Sequence, residues 1–505
     1  MALINTLFSW WMKKRMHQIG LFLKYPLEVQ DEWFKDLIQT AKSTEFGIRY
    51  DFKSIQTLKD FKSRVPVHGY DELKPYIERL MKGEQNILWP TETKWFAKSS
   101  GTTADRSKFI PVTKEALEEC HYKGGKDMLS LYCSAYEDAE VFTGRTLMMG
   151  GSSQSIDPDN NSYHGDLSSI IIKNLPFWAE ILRTPDRETA LMENFEQKLS
   201  KMVEITTKEN VTSLSGVPSW MLILLNKILE STGRESICDI WPNLEVFFHG
   251  GVSFTPYRSQ FEAIIPSPKM RYMETYNASE GFFGIEDFYR KGELLLMLDY
   301  GIYYEFAPAD EWDNEKPETL SLDEVELNTN YALIISTNAG LWRYKIGDTI
   351  QFTSKYPFRI RVSGRTKHFI NAFGEELIID NAEKALKQAC LKTGAIIDEY
   401  TAAPIYLTNK KAGKHQWLIE FKKEPQSMES FGTCLDEELR NLNSDYDAKR
   451  KGNMALAFPE ILVLPKQTFY KWLKSKNKLG GQNKVPRLSN ERKYVEEILN
   501  LIDYQ

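Results

Sequence analysis

The sequence predicts an α/β fold in two parts, a large N-terminal domain over residues 1–365 and a smaller C-terminal α/β domain over 366–505. Three observations carry this. Helical and strand-like hydrophobic periods alternate along the chain, with no internal repeat or low-complexity tract. Two short apolar runs, "LEVFFHGG" (244–251) and "YALIISTN" (331–338), end in polar residues or glycine, the pattern of buried strands running into loops. Beyond residue 355 the texture changes to short strands around a Gly-Arg turn and then a helix.

Bulk properties set the class. At 505 residues the chain exceeds what one core usually holds, and 42% hydrophobic with 27% charged residues is the composition of an ordinary globular protein. A formal charge of -6 speaks against a protein built to neutralise a polyanion, so no nucleic-acid partner is expected. Cys120, Cys133, Cys238, Cys390 and Cys434 are odd in number and form no C-x-x-C pair, which suggests neither a disulfide framework nor a zinc site and points to a reducing cytoplasm. No run of about eighteen apolar residues occurs, so no membrane span is expected. The oligomeric state stays open.

The elements follow in order. The N-terminal stretch is apolar, but Lys13, Lys14 and Arg15 interrupt it and no small-residue cleavage site follows, so it reads as an amphipathic helix packed on the domain rather than an export signal, with a membrane-surface helix as the alternative. Helical spacing recurs near 186–206 and 219–231, and the acidic stretch 308–328 reads as a solvated loop. In the C-terminal part, Asp380 with Glu383 resembles a capping-box start. Strands near 395–408, 416–421 and 459–464 and a helix near 433–450 complete it.

Five stretches could carry chemistry. In "KWFAKSSGTTADRSKFIPVT" (94–113), Gly101 allows a tight path whose N–H groups converge, and Ser99, Ser100, Thr102 and Thr103 add hydroxyls around an anion, with Lys108 as a compact cation. The same composition also marks ordinary turns. "RYMETYNASEGFFG" (271–284) offers Glu280 as an oxygen ligand for magnesium and Tyr276 as a ring for a purine, or simply a strand and a capped turn. In "LWRYKIGDTIQF" (341–352), Asp348 after Gly347 could take both ribose hydroxyls, or mark a hairpin. "GRTKHFINAFGEE" (364–376) and the glycine- and lysine-bearing "GGQNKVPR" (480–487) complete the set.

Taken together and in this order, the Ser/Thr/Gly loop, Gly250-Gly251, Tyr-x-x-Ser-Glu, Arg-Tyr-Lys-x-Gly-Asp, the Gly-Arg hinge and the terminal Gly-Gln-x-Lys run resemble the adenylate-forming superfamily. More closely, the whole chain resembles the auxin-responsive acyl acid amido synthetase (GH-three) family. That resemblance implies a large adenylate-forming N-terminal domain and a mobile C-terminal lid. It also implies an ATP-dependent ligase that adenylates a carboxylic acid, releases pyrophosphate and passes the acyl group to an amino acid. Its cofactors would be ATP and Mg2+. Carried over residue by residue, Ser99, Ser100, Gly101, Thr102 and Thr103 would hold the phosphates, Gly250 and Gly251 would border the adenine, and Tyr276 would stack near it. Ser279 would lie by the phosphates, Glu280 would help bind magnesium, Asp348 would take the ribose, Arg365 would stand at the hinge, and Lys484 would approach the reacting groups.

Such chemistry needs charge neutralisation rather than acid–base help in its first half, because a carboxylate attacks a phosphate. The second half needs a neutral amine, for which His249 and His164 are candidate bases. The stretches 148–155 and 213–221 would line the acyl pocket, with Val217, Trp220 and Phe254 as candidates that could equally be core. Asp105 stands where family loops carry glycine, and the turn after the hinge is more like that of general adenylate-forming enzymes. An acyl-CoA ligase and a non-catalytic nucleotide-binding homologue are therefore the alternatives.

Overall fold

A computed structural model describes residues 2–100, 107–151, 153–157, 161–254, 257–287, 292–308, 311, 314, 316–365, 369–407, 412–453, 455–476 and 485–503. Its backbone is an eleven-stranded mixed sheet. One half holds Arg145–Met148, Arg183–Thr184, Val211–Gly216, Val246–Gly250 and Arg271–Ala278, paired in parallel. From Gly281–Glu286 onward the pairing is antiparallel, through Leu294–Leu296, Phe358–Arg365, Tyr344–Lys355, Asn330–Thr337 and Ile302–Pro308. The two predicted apolar runs are strands of this sheet, and Asn330–Thr337 is buried along all but its first residue. A four-stranded sheet contains the hairpin of Trp95–Ser100 and Ser107–Val112.

Helices cover the parallel half, as parallel strands require. Pro218–Thr232 starts on proline at its first turn and ends at Gly233 in the left-handed region, φ 65°. The helix expected over 186–206 is two helices, Arg187–Ala190 and Phe195–Thr206: the Asn194 side chain accepts from the Gln197 N–H at 3.0 Å and starts the second one afresh. The N-terminal helices Ala2–Lys13 and Arg15–Lys24 pack on the domain through buried Met12, Ile19 and Phe22. Arg15 is buried with them and pairs with Asp127 at 2.9 Å and Asp299 at 2.7 Å, so the basic residue that interrupts the apolar run serves as an anchor. Among the described residues no helix is long and apolar enough to cross a membrane.

The C-terminal part holds a sheet of Ile396–Ile405, Lys414–Lys423 and Glu460–Leu464, covered by Ile379–Thr393 and Met428–Leu442. The expected helix near 433–450 is divided at Asn443, whose side chain caps Ser444–Arg450. The capping box expected from Asp380 and Glu383 is a correction. The helix begins a residue earlier, at Ile379, and Glu383 instead accepts from the Tyr400 hydroxyl at 3.0 Å. One apolar cluster runs from Phe247, Phe254 and Phe261 to Ala372, Phe373 and Trp417, so the two parts share a continuous core. Tyr257 Oη donates to the Ala372 carbonyl at 2.6 Å and Gln260 Nε2 to the Leu407 carbonyl at 2.7 Å across that junction.

Candidate active site at the strand ends

Parallel strands in register bring their C-terminal ends to one edge, which is where open α/β sheets collect ligands. Here Gly216 pairs with His249, and Gly250 with Thr275, so Val217, Gly251 and the Ser279–Glu280 turn emerge together. Gly250 admits no side chain: a Cβ there would lie 2.4 Å from the Thr275 carbonyl oxygen. Gly251 takes φ 82°, a region that favours glycine, and a Cβ would meet Val217 Cγ2 at 3.3 Å. The backbone at this edge is thus left bare, as close approach of a flat ligand requires.

Ser99 pairs with Lys108, and Ser100 with Ser107, on the two antiparallel strands that flank the expected phosphate loop. Gly101, Thr102, Thr103 and Asp105 lie outside the described residues, as does Lys484. Lys108 is buried, its ammonium 5.8 Å from the centre of the Tyr70 ring, and its charge reaches the Glu280 carboxyl. Burial pushes Glu280 up to about 7; Lys108 opposes this, and the carboxylates of Asp348 and Glu376 add to it. A carboxylate so placed is suited to a cation that arrives with a ligand. Among the described residues no group of three His, Cys, Asp or Glu side chains could hold a metal alone.

Asp348 is buried inside the strand Tyr344–Lys355, not in a hairpin turn, and pairs with Arg365 on the next strand. Tyr276 Oη donates to Asp348 Oδ2 at 2.7 Å. Arg343, in the same motif, points elsewhere: its guanidinium binds both oxygens of buried Glu305 at 2.9 Å and the Val65 carbonyl at 2.6 Å. Trp220 is half-buried under the Lys449 ammonium, 4.7 Å from its ring centre, and Val217 is the residue before Pro218 at the head of the helix. Phe254 is buried and stacks on His249 at 4.1 Å.

Burial weakens both candidate bases. Burial, with Arg258 nearby, pushes His249 down to about 3, and burial with Lys98 nearby also lowers His164. Instead, two carboxylates from the C-terminal part reach the cleft, which sequence reasoning missed. Glu376 sits at φ 39°, a left-handed conformation costly for a residue with a Cβ, and its charge acts on both Glu280 and Asp445. Asp445 is pushed up to about 6, first by burial and then by Glu376 and Asp166, with Lys449 and Lys98 opposing. Gly374 beside Glu376 was the available signal; nothing local marked Asp445.

A glycine-bearing strand edge, a buried Tyr–Asp pair and the buried Glu280 carboxyl gather at one end of the sheet in an α/β ligase of adenylate-forming architecture. The chain belongs to the GH3 family, matching its N-terminal domain over residues 15–270, its central domain over 295–365 and its C-terminal domain over 380–493. It is 24% identical to an indole-3-acetic acid-amido synthetase of Arabidopsis thaliana, covering 91% of this chain and 89% of that one. In structure it resembles the GH3.15 acyl acid amido synthetase with a TM-score of 0.61 at 16% identity, over 97% and 96% of the two chains. A 2-hydroxyisobutyryl-CoA ligase shares the fold at a TM-score of 0.57 and 13% identity, over 95% and 92%.

Proposed function

We propose that the protein is an ATP-dependent acyl acid amido synthetase, which adenylates a carboxylic acid with loss of pyrophosphate and transfers the acyl group to the amine of an amino acid. Family membership supports this reading. The observation that carries it is the convergence of Lys108, Tyr276 and Asp348, from three strands, with Glu280 in the turn that follows the Tyr276 strand. Asp348, oriented by the Tyr276 hydroxyl, takes the ribose hydroxyls, and bare Gly250 and Gly251 receive the base. Ser99 to Thr103 and Lys108 hold the triphosphate at the hairpin. Glu280 would supply a protein ligand for magnesium, and the ion would neutralise charge on the phosphates.

Val217 and Trp220 border the acid, Arg365 lies beside the hinge on the nucleotide side, and Lys484 meets the reacting carboxylate and phosphate as the C-terminal lid turns in a cytoplasmic enzyme. Screening carboxylic acids for acid-dependent pyrophosphate release tests whether the chain is this enzyme. Supplying amino acids or coenzyme A to the activated acid then decides the acceptor: amide product is expected, and thioester alone would replace the amide assignment with a CoA ligase.

A further inference from the structure

The N-terminal helices are apolar on two sides. Ala2–Lys13 and Arg15–Lys24 run almost as one helix, since Lys14 between them keeps helical angles, φ -58° and ψ -31°, and its N–H reaches the Trp10 carbonyl at 3.3 Å. Met12, Arg15, Ile19 and Phe22 are buried and turn one side to the domain. Leu7, Trp10, Lys14, His17, Leu21 and Tyr25 follow one another at steps of three or four residues, the spacing of a single stripe on the opposite side, and all are exposed. A surface helix ordinarily gives that side to polar residues. Here Leu7 is 60%, Trp10 58%, Leu21 48% and Tyr25 42% exposed, a row of large apolar groups left open to water.

Charge tells what covers it. Residues 1–27 hold four basic residues, Lys13, Lys14, Arg15 and Lys24, and no acidic one, in a chain of formal charge -6. Arg15 turns inward to Asp127 and Asp299. Lys14 and Lys24 stay exposed, their ammoniums 3.7 Å from the Trp10 ring centre and 5.1 Å from the Tyr25 ring centre. Rings paired in this way with long lysine stems suit the boundary between acyl chains and anionic headgroups, where the ring enters and the stem keeps its charge outside. The row from Leu7 to Tyr25 is about 27 Å long, which fits a flat surface. Beside it Trp178 packs on Trp11 at 5.5 Å, and Phe177 and Ile181 of the same short helix are 82% and 54% exposed. Toward Leu21 the stripe borders a groove that also holds Glu32 and Asp36, so the seat is deepest at Leu7 and Trp10. A two-fold contact of this face with itself would bring lysines together with no acidic residue on the stripe to pair them.

We infer that this face is an interaction surface for an anionic lipid bilayer, on which the N-terminal helices lie in the plane of the headgroups with Leu7 and Trp10 inserted and Lys14 and Lys24 at headgroup level. The contact is peripheral, since no described helix is long and apolar enough to cross a membrane. Shallow apolar insertion and lysine attraction are each weak alone and hold a protein to the surface together.

The test is co-sedimentation of the full chain with phosphatidylcholine vesicles that contain or lack phosphatidylglycerol, at low and at high salt. Binding to the anionic vesicles is expected, falling by about tenfold or more without phosphatidylglycerol or in Lys14→Glu/Lys24→Glu, and weakening as salt rises. Leu7→Ser/Trp10→Ser is also expected to bind at least about tenfold less. Leu391→Ser, which removes a leucine 69% exposed on another helix, should bind as wild type. All these variants should keep the wild-type Tm. A lower Tm in Leu7→Ser/Trp10→Ser would show that the face is structural packing, and a dimer in wild type that this variant dissociates would put a second copy on it. Binding that neither double variant weakens would place the lipid contact elsewhere. Each of these results overturns the assignment, as does absence of binding to the anionic vesicles. Vesicle binding needs no turnover, so these outcomes stand whether or not the chain releases pyrophosphate.

Discussion

The Tyr276 hydroxyl donates to Asp348 Oδ2 at 2.7 Å although their strands are four places apart in the sheet order. In a flat sheet four steps of 4.8 Å would separate them by about 19 Å. The sheet therefore curls until its parallel and antiparallel halves meet, and the proposed ribose site lies where they meet. Tyr276→Phe removes one charge-assisted hydrogen bond without removing the ring. With such bonds worth about 1.5–3 kcal/mol, KM for ATP is expected to rise by roughly tenfold to a hundredfold, with a smaller change in KM for the acid. Steady-state pyrophosphate release checks this.

Glu280 sets function against stability. Its folded-state carboxyl is raised from 4.5 to about 7, so between those values the folded protein binds more protons than the unfolded chain. Stability accordingly falls as pH rises through this window, and the full cost is present above it. Glu280→Gln removes the buried charge. It should stabilise the fold at pH 8 by up to about 3 kcal/mol, seen as a higher Tm, with little change at pH 4.5. Pyrophosphate release should fall by at least about a hundredfold. Unfolding scans at the two pH values and a turnover assay test both halves; a lower Tm at pH 8 would reject the electrostatic account.

Much of this was legible because it is local. A strand end running into glycine, as at Gly250, and an acidic residue after glycine, as at Asp348, carry their backbone requirement in two or three residues. The break between Arg187–Ala190 and Phe195–Thr206 was also local, but Asn194 sits within an otherwise continuous helical period that conceals it. Long-range relationships left no such mark. Arg343 and Asp348 share one motif, yet one closes a buried ion pair and the other faces the cleft, because Gly347 at φ 99° and the irregular pairing around it redirect the strand. Asp445 gains its high affinity for protons from Glu376, Asp166 and burial, none of which is adjacent to it in sequence.

Gly250 tests the bare strand edge. Ala at this position places a methyl 2.4 Å from the Thr275 carbonyl oxygen and 2.8 Å from its hydroxyl, which forces the two parallel strands apart. Gly250→Ala is expected to destabilise by about 1–3 kcal/mol and to weaken ATP binding, whereas Gly20→Ala, with nothing within 4 Å on its helix, should do neither. Urea unfolding and nucleotide titration of the two variants check the contrast.

Arg343 and Glu305 provide the last prediction. Arg343 is 4% and Glu305 1% exposed, and besides the two contacts between them Thr319 Oγ1 donates to Glu305 at 2.7 Å while the Val65 carbonyl accepts from Arg343. Every strong hydrogen-bonding direction of this pair is met, yet Arg343 is held at φ 44°, a conformation that only such a set of bonds would retain. Removing one charge strands the other. Glu305→Ala is expected to destabilise by roughly 3–5 kcal/mol, whereas the double variant Glu305→Leu/Arg343→Met should recover a large part of that loss, because two desolvated ions are replaced by apolar packing. If the pair served nucleotide binding rather than structure, the double variant would lose ATP affinity at unchanged Tm. Recovery of Tm with ATP affinity close to wild type is the expected outcome, and it separates the arginine that builds the motif from the aspartate that uses it.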